Sequence, residues 1–482
     1  MNRFIVLAIW LFATFPAAAE DFLTWQKRMP ITFSGFPADG ETLTNFPALV
    51  ILSNTAAGVG FYYDDFLSPP WGDLRFAAAD QITPLDFEVE SWDTNGLSYA
   101  WVRIPELTNN TVIHALWGEA GVVAPPCTAN GAAWESGFRG TWHLVEGEGG
   151  TNHAGVYRDS TAYANHGSDF VSATGKEGVV NGGQAFNGTG DYIGAAALAN
   201  YVSNNFTISF WLYPTTTHAI DSESTSGTGG TSGQRYALWP EWGDAKAGAG
   251  ISAGNNGVSV YEHGSGYMPA LLVWSGTLSG WTHVTVAYLA KRPRLYINGS
   301  LVRTGLTSTR GVIYPSVYVG GSSYGYFPGK IDEFRVESVT RASNWIWACY
   351  MNMASNSVFN SYGEPEYQGA PMVTNLGAVS ENEFMTLNGY LLSTGMDANV
   401  SAAVFWGTND AGRQAEGWTY TNWMPGIVAE GPLSVNVTPD KVGQLYYFRF
   451  SASNSFGQTW ASPVHDFRWW ADVRTGSVFS TW

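Results

Sequence analysis

Short runs of alternating apolar and polar residues, each ended by glycine, proline, asparagine or aspartate, recur along almost the whole chain. The run FTISFWLYP, for example, places successive side chains on opposite faces, which is the period of a β-strand and not of a helix. Aromatic residues make up 15% of the chain and charged residues 13%, a balance typical of folded β-proteins and not of disordered chains. The pattern therefore predicts an all-β protein made of tandem antiparallel β-sandwiches.

Breaks in this alternation divide the chain into segments. Its 482 residues are too many for one hydrophobic core. The predicted segments are a signal peptide at 1–19, a β-sandwich at 20–120, a linker at 121–133, a larger β-sandwich at 134–363, a linker at 364–370, a third β-sandwich at 371–470 and a tail at 471–482.

The N-terminal segment has the order of a secretory signal. The basic start MNR is followed by the apolar run FIVLAIWLFATF and the small residues PAAA, which predicts cleavage near Ala19. A membrane anchor is the alternative, but the apolar run is shorter than the ~20 residues that span a bilayer. We expect a secreted or cell-surface protein with no membrane span in the mature chain. The net charge of −17 argues against a nucleic-acid partner.

Two cysteines, Cys127 and Cys349, are present in a chain that is expected to be exported. They lie near the two ends of the central sandwich, and the ends of a sandwich often meet, so a disulfide between them is predicted. Two unpaired thiols are the alternative, because the sequence gives no distance between the residues.

Three groups of motifs resemble known families. The first sandwich resembles a bacterial domain of unknown function, number 2341, through Trp25 and Arg28 and the later pieces FPALV, DLRF, EVESWD, AWVRIP and WG. The central block resembles a laminin-G-like jelly roll of the concanavalin-A-like lectin/glucanase superfamily through GTWHLVE, RDSTAYANHGS, GGQAFNGTGDYI, FTISFWLYP, WTHVTV, LYINGSLV and GKIDEFRVESVTR. The third block is similar to fibronectin-type-III-like sandwiches through YYFRFSASNSFG.

Glucanases of this superfamily carry alternating acids on one strand, so the acidic pairs of this chain are candidates for catalysis. Asp332 and Glu333 are adjacent on a predicted strand, and strand alternation places adjacent residues on opposite faces. Glu88 and Glu90 share a face but lie in another domain without a third acid. The sequence therefore predicts no catalytic residues. Glycoside hydrolysis stays open as the alternative function.

The resemblance to jelly rolls also implies a structural calcium ion. Asp159 and Asp332 occupy the matching positions in the early DxS loop and the late IDE strand, and carboxylates are ligands that Ca²⁺ prefers. In the alternative, Asp159 caps a turn and Asp332 pairs with a base such as Arg335 or Arg341.

Aromatic side chains on loops are the candidates for sugar binding, because aromatic rings stack on sugar faces while a few polar groups orient the ligand. The predicted ligand-binding residues are Trp239, Trp242, Tyr261, Tyr267, Tyr324 and Tyr326. For each, partial burial within the sandwich is the alternative.

Together these features predict a secreted, non-catalytic, multi-domain protein for adhesion or substrate capture. Its expected partner is an extracellular polysaccharide or glycoconjugate, or a surface protein. A carbohydrate-active enzyme and a purely structural cell-surface protein are the two alternatives.

Overall fold

The computed structural model describes residues 22, 25, 27–55, 61–135, 137–147, 153–367, 369–380, 384–461 and 464–469. The predicted signal peptide and the predicted tail lie outside these residues. Antiparallel strands dominate the described residues, so the prediction of an all-β sandwich protein is confirmed. Within the same residues, no helix has the length and apolar character needed to cross a membrane.

The first sandwich begins with six strands. They are β1 (Lys27–Thr32), β2 (Leu43–Leu52), β3 (Arg75–Ala77), β4 (Phe87–Ser91), β5 (Ser98–Leu107) and β6 (Val112–Trp117). One sheet contains β1, β6 and β3 in that order, and the facing sheet has the order β2-β5-β4. Alternate side chains of both sheets, such as Ile31, Phe46 and Val102, form the core between them.

The central block is a larger sandwich. Its strands are β7 (Phe138–Trp142), β8 (His153–Tyr157), β9 (Gly167–Phe170), β10 (Gln184–Asn187), β11 (Tyr192–Gly194), β12 (Phe206–Pro214), β13 (Tyr236–Trp239), β14 (Ala247–Gly254), β15 (Gly257–His263), β16 (Ala270–Ser275), β17 (Thr282–Leu289), β18 (Arg292–Ile297), β19 (Ser300–Thr304), β20 (Ile313–Pro315), β21 (Tyr318–Val319), β22 (Gly321–Ser322), β23 (Gly325–Tyr326) and β24 (Pro328–Glu337).

Two sheets of this block pack face to face. The inner sheet has the order β10-β24-β12-β17-β18-β19, and β7 also pairs with β24. The outer sheet has the order β16-β15-β14-β13-β21-β11-β9-β8. Apolar side chains from both sheets, including Ile331 and Phe334 of the inner sheet and Ile193 and Val319 of the outer sheet, fill the space between them.

After the central block, the chain returns to the first sandwich. The returning elements are α1 (Ser343–Ala354), α2 (Asn356–Phe359), β25 (Ser361–Tyr362) and β26 (Glu366–Tyr367). Both short strands pair with β1, so the predicted domain end at residue 363 falls within the first sandwich.

Three asparagines of this returning segment cover the edge strand β2. The side-chain amides of Asn352, Asn356 and Asn360 each donate to the carbonyl of Leu49, and the Asn352 oxygen accepts from the Leu49 amide at 2.6 Å. Unpaired backbone groups on an edge strand favour pairing with other chains. The asparagines satisfy them instead and fix the helical segment to the first sandwich.

The predicted disulfide between Cys127 and Cys349 is not formed, and both residues are free cysteines. Cys349 lies on α1, which contacts β2, whereas Cys127 lies in a 3-10 turn that contacts β4. Strand β5 separates β2 from β4, so these two strands are about 10 Å apart. The two cysteines therefore belong to opposite edges of one sheet, beyond the reach of a disulfide.

The third sandwich completes the described chain. Its strands are β27 (Met372–Ser380), β28 (Met385–Ser393), β29 (Ser401–Gly407), β30 (Tyr420–Trp423), β31 (Gly431–Val437), β32 (Leu445–Asn454), β33 (Gly457–Trp460) and β34 (His465–Arg468). The sheet β27-β28-β31 faces the sheet β30-β29-β32-β33, in which β34 also pairs with β32. The resemblance to fibronectin type III stays a prediction.

Replacing Tyr446 by phenylalanine should destabilise the third sandwich by about 1.5–3 kcal/mol. The buried phenol donates to the carboxylate of Asp440 and accepts from the Lys441 amide at 3.2 Å, so it fixes the loop before β32. Faster hydrogen exchange of the β28 and β32 amides in the full chain would measure the loss. Tyr447→Phe, on the opposite face of the same strand, is the control and should leave these rates nearly unchanged.

Candidate functional site

Strand β24 departs from the two-residue period at Glu333. Ile331, Phe334 and Val336 all lie in the core of the central sandwich, so two residues instead of one separate Ile331 from Phe334. Glu333 has a φ of +54°, and the pairing with β12 shifts at the same place, which defines a β-bulge. Asp332 and Glu333 therefore both face away from this core. The prediction that strand alternation separates them is wrong.

The face of β24 that carries Glu333 packs against the first sandwich. Strand β4 contributes Glu88 and Glu90 there, and the central sandwich contributes His143, which directly follows β7, together with Glu333 and Arg335. We call these five residues the junction cluster. The third acid that Glu88 and Glu90 lack in the sequence thus comes from another domain. His143, which was not among the predicted site residues, lies between the acids.

The imidazole of His143 is the centre of the junction cluster. Its Nδ1 lies 2.5 Å from Glu333 Oε1 and 3.3 Å from Glu90 Oε2, and its Nε2 lies 3.6 Å from Glu88 Oε2. Arg335 donates to Glu333 Oε2 at 2.5 Å and lies over the ring of Trp101 at 4.3 Å. The Glu333 and Arg335 side chains are only 1% and 2% exposed, so these ion pairs are screened little by solvent.

Burial and mutual charge move the pKa values of the cluster apart. Burial raises the pKa of Glu90 to about 8, although the charge of His143 opposes the shift. Burial also opposes ionisation of Glu333, but His143 and Arg335 outweigh it and hold its pKa at about 2. For His143, burial is likewise outweighed by Glu333 and Glu90, which keep the imidazole pKa well above its usual value. Within the cluster, Glu90 therefore resists ionisation, whereas Glu333 ionises readily beside His143 and Arg335.

A cavity of about 530 Å³ leads to the junction cluster from the surface. Glu88, Glu90 and His143 line it together with Asp159 and His166. The cluster is therefore buried between two domains and still reachable by a small solute.

The two residues predicted to hold calcium have different partners. The carboxylate of Asp159 accepts from the amides of Thr141, Thr161 and Asn165 and from the Thr161 hydroxyl. This is the turn-capping role that was the alternative. Asp332 Oδ2 accepts from the amides of residues 179 and 180, and no arginine among the described residues donates to it. Because N–H donors already face both carboxylates, the geometry favours structural hydrogen bonding, and calcium at Asp159 and Asp332 stays a prediction.

The aromatic residues predicted to bind sugar divide into two groups. Trp239 and Tyr261 lie in strands instead of loops and are buried, and Tyr267 is buried with its phenol donating to Glu262 at 3.0 Å. Tyr261 and Tyr267 are enclosed by other side chains of the domain, so they are corrected to structural residues. Trp239 is 8% exposed but lies on the face of the outer sheet that points away from the core. Trp242 is 59% and Tyr324 39% exposed, and Tyr326 is half-buried.

A row of aromatic rings crosses the outward face of the outer sheet. The aromatic row consists of Phe170 on β9, Tyr192 on β11, Tyr318 on β21, Trp239 on β13 and Tyr324 in the turn before β23. Phe170 and Tyr192 stack at 4.5 Å, Tyr192 and Tyr318 stack at 5.9 Å, and the rings of Trp239 and Tyr324 are 5.3 Å apart. Tyr318 and Trp239 are cross-strand partners. The row spans three strand spacings, about 14 Å.

Strand alternation explains why these rings point outward. Ile193, Val319 and Leu238 belong to the core, so their neighbours Tyr192, Tyr318 and Trp239 lie on the other face. Gly194 makes room for the row, because a β-carbon there would lie 3.1 Å from the ring of Tyr318. Only Tyr324 and Trp239 of the row were among the predicted residues. For Phe170, Tyr192 and Tyr318, the signal in the sequence was that each is the single aromatic residue of a short strand.

A comparison with family models identifies the central block. Residues 187–346 match the laminin-G-like model of the concanavalin A-like lectin/glucanase superfamily. The matched residues extend from the end of β10 into α1, so the predicted jelly roll of this superfamily is confirmed for the segment. The resemblance of the first sandwich to the domain of unknown function stays a prediction. We found no significant match among curated proteins.

Several solved structures show a weak likeness to this chain. Domain 4 of an extracellular arabinanase from Geobacillus stearothermophilus, in complex with arabinotriose, is 15% identical, with 44% of this chain and 98% of that chain covered and a TM-score of 0.30. Botulinum neurotoxin type C, whose cell entry is described as dependent on two ganglioside molecules, is 12% identical. The match covers 67% of this chain and 72% of that chain, with a TM-score of 0.31. Trypanosoma rangeli sialidase is 17% identical, with 54% of this chain and 43% of that chain covered and a TM-score of 0.30. At these identities and TM-scores, the likeness carries no argument about the fold or the ligands of this chain.

Proposed function

We propose that this chain is an exported, non-catalytic protein that binds extracellular carbohydrate through the aromatic row of its laminin-G-like jelly roll. The observation that carries the proposal is the stacked series Phe170, Tyr192 and Tyr318, which continues to the exposed ring of Tyr324. The N-terminal sequence pattern supports export.

The shape of the aromatic row suits a sugar chain. A pyranose presents an apolar face of C–H groups about the size of a phenol ring, and such a face stacks on an aromatic ring while its hydroxyls remain in water. Phe170, Tyr192 and Tyr318 are half-buried, so each has one face or edge available while its packing fixes its orientation. Rings that are fixed before binding lose little conformational entropy when the ligand arrives.

Loss of aromatic rings should weaken this binding. Tyr324→Ala and the double variant Tyr324→Ala/Tyr192→Ala should lower the affinity for the bound glycan at least tenfold, the effect of truncating a central aromatic residue in an interface. A glycan array and pull-down on insoluble polysaccharides would identify the ligand, and titration calorimetry with that glycan would measure the loss.

Tyr390→Ala is the matched control, because Tyr390 is 38% exposed, almost the same as Tyr324, but lies in the third sandwich. Its affinity should equal that of the wild type. An equal loss in both variants, or no glycan bound by the wild type, would contradict the proposal. Release of reducing sugar from a polysaccharide by the wild type would instead favour the hydrolase alternative.

A further inference from the structure

Three side chains of the junction cluster can reach one point. The donor atoms of Glu90, His143 and Glu333 all lie within 4.8 Å of one another. We propose that these residues bind a divalent first-row transition-metal ion of the Zn²⁺ class, which joins the first sandwich to the jelly roll. One imidazole and two carboxylates suit such an ion, with bonds of about 2.0–2.2 Å. Because His143 Nδ1 and Glu333 Oε1 are 2.5 Å apart, these two atoms would have to separate to admit the ion between them.

In each carboxylate of the proposed site, one oxygen is held by a neighbour outside the three ligands, which leaves the other oxygen to face the ion. Glu90 Oε2 accepts from the indole N–H of Trp101 at 2.8 Å, while its buried Oε1 has no hydrogen-bond partner among the described residues. Glu333 Oε2 accepts from Arg335, while its Oε1 faces His143. Hydrogen bonds of this outer kind orient metal ligands and tune their affinity.

The imidazole of His143 likewise has one nitrogen that faces the proposed ion and one that faces a neighbouring residue. His143 Nδ1 faces Glu90 and Glu333, and the opposite nitrogen, Nε2, is buried, faces the carboxylate of Glu88 and lacks a hydrogen-bond partner within the part of the chain that the structure describes. Glu88 is itself held by the indole N–H of Trp134 and the hydroxyl of Ser160. With an ion on Nδ1, the Nε2–H would donate to Glu88, the carboxylate–histidine–metal series found at many metal sites.

The charges of the junction cluster also balance around a divalent ion. Glu88, Glu90 and Glu333 carry three negative charges when ionised, and Arg335 supplies one positive charge. An ion of charge +2 supplies the other two, and Glu90 and His143 would bind it in their deprotonated forms, releasing any protons that they hold in the ion-free cluster. An uncompensated charge in so buried a place would be costly. The ion would replace the hydrogen bond between His143 and Glu333.

The position of the ion has two consequences. Glu90 comes from the first sandwich, whereas His143 and Glu333 come from the jelly roll, so the ion would link the two domains and stabilise the folded chain by linkage. Three protein ligands leave coordination positions for water or a small anion, and the cavity of about 530 Å³ provides the entry path.

Zinc titration of the full mature chain tests the proposal. After treatment with a chelator and dialysis, titration with ZnCl₂ should show one saturable site per chain and a higher Tm, whereas CaCl₂, which prefers six to eight oxygen ligands, should not occupy it. Glu90→Gln and His143→Gln should each weaken zinc binding at least tenfold. Glu262→Gln, a buried acid elsewhere in the jelly roll, should bind zinc like the wild type.

Anomalous scattering at the zinc edge from wild-type crystals locates the ion without any variant, so a variant that fails to fold leaves the test intact. Density at Glu90, His143 and Glu333 supports the proposal. The absence of saturable binding, full affinity in Glu90→Gln, or an ion located at surface histidines would each overturn it. Glycan affinity measured with and without zinc keeps this outcome separate from that of the aromatic row.

Discussion

Replacing Arg335 by methionine should lower the free energy of unfolding by about 3–5 kcal/mol, the cost of removing one partner of a buried ion pair. The guanidinium is 2% exposed, donates to Glu333 Oε2 and lies over the rings of Trp101 and Trp134 at 4.3 and 4.9 Å. Methionine retains much of the apolar packing but leaves Glu333 with His143 as its remaining cation. Urea unfolding of the full chain in the presence of a chelator, followed by tryptophan fluorescence, would measure the difference.

The double variant Arg335→Met/Glu333→Gln separates charge from packing. Because it removes both charges of the pair, it should recover most of the loss, and the two substitutions should be strongly non-additive. Arg303→Met is the surface control: Arg303 pairs with Glu223 at 2.7 Å but is largely exposed, so the unfolding midpoint should hardly move. A midpoint for Arg335→Met equal to that of the wild type would contradict the assigned role.

Glu262 should make the stability of the jelly roll fall as the pH rises from about 4.5 to 7. Burial raises the pKa of Glu262 to about 7, although the hydroxyls of Ser308, Tyr267 and Tyr288 donate to the carboxylate. The folded state therefore holds a proton that the unfolded state has already lost, so the contribution is fully present below about pH 4.5 and is lost through pH 7. The loss amounts to about 3 kcal/mol.

The variant Glu262→Gln has no proton to lose at this position. Its free energy of unfolding relative to the wild type should therefore rise by about 3 kcal/mol between pH 4.5 and 8, measured by urea unfolding at each pH. Glu223→Gln is the control, because Arg303 and the Val273 amide outweigh burial and lower the pKa of Glu223. The free energy of unfolding of this variant relative to the wild type should therefore change with pH in the opposite direction. A difference between Glu262→Gln and the wild type that is constant with pH would contradict the assignment.

The β-bulge of β24 was accessible to sequence reasoning in part. Ile331 and Phe334 both enter the core, and the two polar residues between them break the two-residue period. A strict alternation placed Asp332 and Glu333 on opposite faces, whereas the bulge at Glu333 turns both away from the core. The spacing of the apolar residues was thus a local signal of the bulge. The sequence contained no signal for the residues that the Glu333 carboxylate contacts after the bulge has turned it away from the core.

The aromatic residues also show that a local sequence pattern does not predict tertiary contacts. The sequence predicted rings in the central block that bind a ligand, and it selected loops as the place where rings are exposed. Tyr261 and Tyr267 are instead buried, while Tyr192 and Tyr318 form an outward row because strands distant in the chain pair side by side. Burial depends on which sheets cover a residue, and no local pattern contains that information.

By itself, the sequence determined the β-class, the sandwich organisation and the jelly-roll family of residues 187–346, because strand period and turn residues are local properties of the chain. The tertiary structure alone decided the junction cluster. Glu88 and Glu90 meet His143, Glu333 and Arg335 only because two domains pack against each other and a bulge re-aims one carboxylate. The interactions of buried charges depend on distances across that interface, which the order of residues does not specify.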